Sequence, residues 1–220
     1  MTSETRTLAA TGMFLCLAVL FFLPVEIPHS VAFPVFLLFI TSIGLTGWQV
    51  SAALLFSALG DYAGSLGSFL FQMGAFAVAH VFYVWFFLKR YLAKVEHDRK
   101  LTGKAKGYLA MLLICVAGLL TVVFTKIVPS VPAGVTRIGV GVYAVLISSM
   151  LLTGMLQRST LYALGAVLFV FSDFIIAWNK FIEPVPYRTY LVMVTYYLAQ
   201  WLLFVRSTPL RINALRHYRF

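Results

Sequence analysis

Two aspartates carry most of the chemistry this chain could perform. Of its 7 acids, Glu4, Glu96 and Asp98 fall in charged segments and Glu26 and Glu183 in short Pro-containing connections, which leaves Asp61 and Asp173 inside apolar runs. A carboxyl at the middle of a membrane span costs about 2.5–3.5 kcal/mol on insertion scales, so its presence calls for a role. A structural role is one option, with each acid capping a helix or pairing with a nearby donor, and Gly60 and Gly64 beside Asp61 suit a cap. The other options are a proton relay and acid–base catalysis. Both acids lie roughly 14 residues from the cytoplasmic end of their proposed helices, or about 20 Å at 1.5 Å per residue. That common depth favours a pair working together.

Other polar residues share these runs. Gln72, Phe76, His80 and Tyr83 follow spacings of four, four and three, which align them on one helix face. Tyr196, Tyr197 and Gln200 form a second group, Ser57 stands one turn before Asp61, and Ser172 adjoins Asp173. Inside a bilayer such groups need partners from the protein and should face the bundle interior. Helix–helix hydrogen bonding alone explains groups of this kind, and substrate binding is the alternative. Zinc is disfavoured, because it needs several His, Cys or acid ligands and only His80 of the 4 histidines lies in an apolar run. There is no GxSxG elbow, no P-loop and no pair of axial histidines. Gly139-Val140-Gly141 reads as helix packing.

The elements that hold these residues follow from composition. Of 220 residues 61% are hydrophobic and only 11% charged, and the mean hydropathy is +0.93. Soluble domains are about 45–50% apolar and about 25% charged. The formal charge of +10 does not indicate nucleic-acid binding, because the Lys and Arg residues sit between apolar runs. Spans of roughly 20 apolar residues are expected over 7–25, 27–60 (two helices, broken near Gly44–Gly47), 62–88, 107–125, 138–157, 159–179 and 190–205. The expectation is an all-α polytopic membrane protein of about eight helices, forming a single domain over 1–220.

Proline placement agrees, since Pro24, Pro28, Pro129, Pro132, Pro184, Pro186 and Pro209 fall in proposed loops and Pro34 near a helix start. Cys16 and Cys115 lie in apolar runs and are expected to be buried as small hydrophobes. An even helix count puts the basic segment 89–106 and the basic tail 206–220 on the side of the N-terminus. The positive-inside rule makes that side cytoplasmic. A seven-helix count would divide the basic segments across the membrane. Both basic segments could also touch anionic membrane lipids. Leu55–Asp61 and Leu168–Asp173 echo each other faintly, as in a parallel duplication.

At these residues the chain resembles the YhhN-like lysoplasmalogenases, including their animal transmembrane relatives. The resemblance rests on Ser57-Ala58-Leu59-Gly60-Asp61, Gly74-Ala75-Phe76-Ala77-Val78-Ala79-His80-Val81-Phe82-Tyr83, Gly165-Ala166-Val167-Leu168-Phe169-Val170-Phe171-Ser172-Asp173 and Thr195-Tyr196-Tyr197-Leu198-Ala199-Gln200. It implies an eight-helix enzyme that hydrolyses the vinyl ether of lysoplasmalogens to a fatty aldehyde and glycerophosphoethanolamine or glycerophosphocholine. It also implies that no metal or other cofactor is needed and that Asp61 and Asp173 are the essential acids. Vinyl ether cleavage needs a proton delivered to the β-carbon and an anion near the resulting oxocarbenium ion, the division of labour that paired carboxylates show in glycoside hydrolysis. Two acids buried together favour one keeping its proton. The sequence leaves open which acid does so. His80, Tyr83, Tyr196, Tyr197, Gln200, Ser57, Gln72 and Ser172 are the candidates for orienting a lysophospholipid or water. The competing readings are a proton-coupled transporter or lipid carrier using the same acids, and a scaffold with purely structural polar residues. The expected location is a bacterial cytoplasmic membrane with both termini in the cytoplasm.

Overall fold

The computed structural model describes residues 2–97 and 103–208. Residues 98–102 of the basic segment and 209–220 of the tail, with Pro209, Arg211, Arg216 and Arg219, lie outside the described residues. The described chain is all-helical: α1 (Ser3–Phe22), α2 (Phe33–Ser42), α3 (Trp48–Ser65), α4 (Phe69–His97), α5 (Gly103–Val122), α6 (Val135–Met155), α7 (Thr160–Phe181) and α8 (Arg188–Ser207). A π-helical segment (Val123–Ile127) and a last α-helical turn (Val128–Ser130) extend α5.

Local chemistry sets the helix ends. Thr2 caps α1 by accepting from the amide of Thr5 at 3.2 Å, so the helix begins ahead of the expected residue 7 and takes Glu4 and Arg6 into its first turns. The break between α2 and α3 falls at Gly44–Gly47 as expected, with Gly44 in the left-handed region at φ +77. Only one 3-10 turn (Ser30–Ala32) precedes α2, so that helix is short, with Pro34 in its first turn.

Asp61 does not end α3, contrary to the expected boundary. The helix runs on to Ser65 and closes at Gly67, φ +75. There the amide of Ser68 donates to the carbonyl of Ala63 at 3.0 Å and that of Gly67 to Gly64 at 2.9 Å, the paired bonds of a Schellman stop. A buried carboxyl with a hydrogen-bond partner leaves the helix intact; a residue in the left-handed region ends it. Pro129 likewise sits in the short helical turn that ends the α5 extension, where the missing N–H is tolerated.

Among the described residues five helices are long and apolar enough to cross a membrane: α1, α4 over Phe69–Ala93, the extended α5 over Lys106–Ser130, α6 and α7. The other three complete the bundle. Of these, α3 and α8 carry Ser57, Asp61, Tyr196 and Gln200, all buried, so the polar residues that dilute their apolar character point inward. Large apolar side chains cover the outer surface, among them Phe71, Ile114, Val135 and Ile138, as a bilayer requires. Cys16 and Cys115 also lie on that outer face and are exposed, which corrects the expectation of burial. Lipid tails are as apolar as the interior, so an apolar run does not reveal which way each residue faces.

The tightest pairings join α3 to α4 and α7 to α8. Small residues permit them. A Cβ on Gly60 would lie 3.0 Å from the Phe76 ring, and one on Gly165 would lie 2.9 Å from Leu203 and 3.3 Å from the carbonyl of Ala199.

Candidate active site

Asp61 is buried on the inner face of α3. Its Oδ2 accepts from the Tyr196 hydroxyl of α8 at 2.8 Å. Tyr196 is held in turn by Gln200, whose Nε2 donates to the Tyr196 oxygen at 3.2 Å. The Tyr83 hydroxyl of α4 donates to Gln200 Oε1 at 2.9 Å. A buried polar chain thus links α4, α8 and α3 and ends at one oxygen of Asp61. Edge-on contacts with Phe76 and Phe169 fix the Tyr196 ring, at centroid distances of 5.7 and 5.4 Å. These contacts explain why Asp61 is tolerated, and they overturn a capping role: the carboxyl pairs across the bundle instead of closing its own helix.

Asp173, on α7, has a separate set of partners. Its Oδ2 accepts from the Tyr143 hydroxyl of α6 and lies 3.6 Å from Nε2 of His80 on α4. Nε2 of His80 is also 3.0 Å from the Tyr143 oxygen. The single hydroxyl proton of Tyr143 is committed to Asp173, so this bond assigns a proton to Nε2 of His80. His80 is fully buried with its Nδ1 unpartnered among the described residues. Its ring packs against Phe169 at 4.7 Å, which places Phe169 between the two polar groups.

Both carboxyls open onto one cavity of about 250 Å³. Ser172, Gln72 and Tyr196 join them on its wall, with Phe21, Val31, Phe76 and Ile176 as apolar neighbours. Each aspartate keeps Oδ1 without a hydrogen-bond partner among the described residues. The mouth is formed by Ser65 at the end of α3 and by Arg188 and Thr189 at the start of α8. It lies at the end of the bundle where α4 begins; Lys89 is 20 residues further along α4, about 30 Å away. A smaller crevice of about 60 Å³ meets Asp173 from the other side, lined by Phe69, Met73, Val140, Ile176 and Phe181. Gln72, Phe76, Asp173 and Ile176 belong to both walls.

The structure therefore gathers Asp61, Asp173, Gln72, Ser172 and Tyr196 around one space. Tyr83, His80 and Gln200 stand behind them as supports. Ser57 is buried one turn from Asp61 with its hydroxyl unpartnered among the described residues. Tyr197 turns elsewhere: its hydroxyl donates to the carbonyl of Val31 at 2.8 Å, and its ring packs with Phe14, Phe21 and Phe22. Sequence reasoning missed Tyr143 and Arg188. Tyr143 has only Gly139, Val140, Leu146 and Ile147 one turn away on its own helix, so no polar spacing marked it. Arg188 falls between the spans expected over 159–179 and 190–205, where no spacing marked it. Among the described residues no three His, Cys, Asp or Glu side chains come together as a metal site would need.

Two carboxyls on the wall of one cavity of mixed polar and apolar lining, each with one oxygen hydrogen-bonded to a tyrosine, can hold and accept a proton on either side of a small reacting group.

The YhhN family model matches residues 5–207. Lysoplasmalogenase TMEM86A of Homo sapiens is 33% identical over 184 residues, covering 78% of this chain and 69% of that protein. Lysoplasmalogenase TMEM86B of Sus scrofa is 31% identical over 156 residues, or 70% of this chain and 61% of that protein. The human TMEM86B is 30% identical over 155 residues, again 61% of its length, so the chain spans about three fifths of these TMEM86B relatives. No solved structure matches the chain.

Proposed function

The chain belongs to the YhhN family, and from that premise we propose that it is an intramembrane hydrolase cleaving the vinyl ether of lysoplasmalogens with Asp61 and Asp173 as its acid–base pair. The observation that carries this reading is that both carboxyls face one cavity of about 250 Å³. The similarity to proteins named lysoplasmalogenases supports the substrate class.

In this mechanism Asp61 holds a proton on Oδ1, while Tyr196 occupies Oδ2. It delivers that proton to the β-carbon of the vinyl ether, leaving an oxocarbenium ion and an Asp61 carboxylate. Asp173 is the anion, since Tyr143 donates to it and His80 faces it, and such donors favour a charged carboxylate. Asp173 stabilises the cation and takes a proton from the water that adds to it, giving a hemiacetal. Asp61 then removes the hemiacetal hydroxyl proton while Asp173 returns its own to the departing glycerol oxygen. The products are a fatty aldehyde and a glycerophospho-alcohol, and both acids regain their starting states. Gln72 and Ser172 orient the glycerol or the water.

Orientation belongs to the same reading. The basic residues at the end of α4 and in the tail support a reading with both termini in the cytoplasm, which turns the cavity mouth to the opposite side.

The test is mass spectrometry of matched 1-alkenyl, 1-alkyl and 1-acyl lysophospholipids after incubation with purified protein. Aldehyde is expected from the 1-alkenyl lipids alone. Asp61→Asn and Asp173→Asn should each abolish its release while thermal stability is kept. Full turnover in either variant refutes the mechanism. Uptake into proteoliposomes with no covalent change in the lipid would favour a carrier instead.

A further inference from the structure

We propose that Arg188 binds the phosphodiester of the substrate head group while the alkenyl chain leaves through the apolar crevice on the other side of Asp173, so that the vinyl ether is held between them. This rests on the hydrolase reading above and adds how the substrate is recognised and in which direction it lies.

Among the described residues Arg188 is the one Lys or Arg lining the larger cavity, and it shares that wall with both aspartates. No carboxylate of the described residues forms an ion pair with it; the ion pair found among them joins His80 and Asp173. Its planar guanidinium presents paired donors that match two phosphate oxygens, a geometry a lysine cannot reproduce. Thr189, beside it on the wall, adds a hydroxyl.

The backbone holds Arg188 at the mouth by a strained turn. Tyr187, the residue before it, sits at φ 55, in the left-handed region. Asn179 Oδ1 secures this connection by accepting from the amide of Val185 at 3.0 Å, and the amide of Arg188 donates to the Val185 carbonyl at 3.2 Å. A non-glycine residue persists in that region when its surroundings over-determine it, and such strain clusters at ligand clamps.

The second half of the geometry is the crevice of about 60 Å³. Phe69, Met73, Val140, Ile176 and Phe181 make it apolar, and it meets the larger cavity at Asp173 and Gln72. A lysoplasmalogen has the same division. Its vinyl ether joins an apolar chain to a glycerol that carries the phosphodiester. With the phosphate on Arg188 and the chain in the crevice, the reactive bond lies at the junction, beside Asp173, and the rest of the chain continues into the bilayer.

Binding of uncleavable ligands tests this independently of turnover. The full chain in detergent is titrated with 1-alkyl-lysophosphatidylethanolamine and with 1-alkylglycerol of the same chain length, using native mass spectrometry. The phosphate-bearing ether should bind roughly 10- to 100-fold more tightly, the range expected of hydrogen bonding between charged groups. Arg188→Gln should erase that preference and leave 1-alkylglycerol binding unchanged, and Arg188→Lys should keep part of it. Equal binding of the two ethers by the wild type, or a preference that survives Arg188→Gln, overturns the assignment. Loss of vinyl-ether cleavage with the phosphate preference intact would instead sink the hydrolase reading and leave the phosphate site standing.

Discussion

Tyr143 of α6 donates its hydroxyl hydrogen bond to Asp173 of α7 while its oxygen lies 3.0 Å from Nε2 of His80. One hydroxyl thus sets the position of a carboxylate and the proton of an imidazole. Tyr143→Phe keeps the ring in its edge-on contact with His80, 5.4 Å between centroids, and removes only that link. The expected result is a fall in kcat of about 100-fold, the scale of losing a positioned proton-transfer partner, with KM little changed. Steady-state aldehyde release measures it. An unchanged kcat would reduce Tyr143 to a packing residue.

Much of this arrangement was legible because bilayers penalise polar groups. Asp61 and Asp173 stood out as costly acids, and the spacing of Gln72, Phe76, His80 and Tyr83 marked the inner face of α4. The same reasoning failed where cost and spacing carry no signal. Tyr143 lacks a polar neighbour one turn away. Tyr196 and Tyr197 were grouped because they are adjacent, yet neighbours on a helix point about 100° apart; one meets Asp61 and the other Val31. The end of α3 was placed at a charge, when a left-handed glycine, Gly67, decided it.

Two glycines on α3 should respond differently to the same added methyl. On Gly60 a Cβ would meet the Phe76 ring at 3.0 Å, and that ring is buried against Phe169 and Tyr196. Gly60→Ala should therefore cost about 1–3 kcal/mol, as overpacking does. On Gly64 the Cβ would come within 2.6 Å of Gln72 Nε2, the free end of a flexible side chain. Gly64→Ala should leave the melting temperature nearly unchanged while pushing Gln72 within the cavity wall, raising KM. Thermal unfolding alongside kinetics separates the two. Equal destabilisation by both would contradict the contact geometry.

The chain from Tyr83 through Gln200 to Tyr196 predicts a non-additive double mutant. Gln200→Leu strands the buried Tyr83 hydroxyl and removes a donor from Tyr196, so it should destabilise by about 1–3 kcal/mol. Adding Tyr83→Phe removes the stranded hydroxyl and should restore part of that loss, because replacing both partners by apolar groups is nearly neutral. A double-mutant cycle on melting temperature reads the coupling. Strict additivity would mean that the two residues do not share a bond.

The side on which the site opens can be read with a membrane-impermeant thiol reagent. Cys16 and Cys115 lie on the outer face of the bundle, so the background is Cys16→Ala with Cys115→Ala. Ser65 and Thr189 belong to the cavity mouth, whereas Lys89 lies about 30 Å along α4, close to the thickness of a hydrocarbon core. In the proposed orientation the basic segment beyond Lys89 lies in the cytoplasm. Ser65→Cys and Thr189→Cys should label in intact cells, and Lys89→Cys only after permeabilisation. A 1-alkyl lysophospholipid should slow labelling at the first two positions and leave the third unaffected. The reverse pattern would place the mouth in the cytoplasm, and a ligand that protects none of the three would remove this cavity as the entry route for substrate.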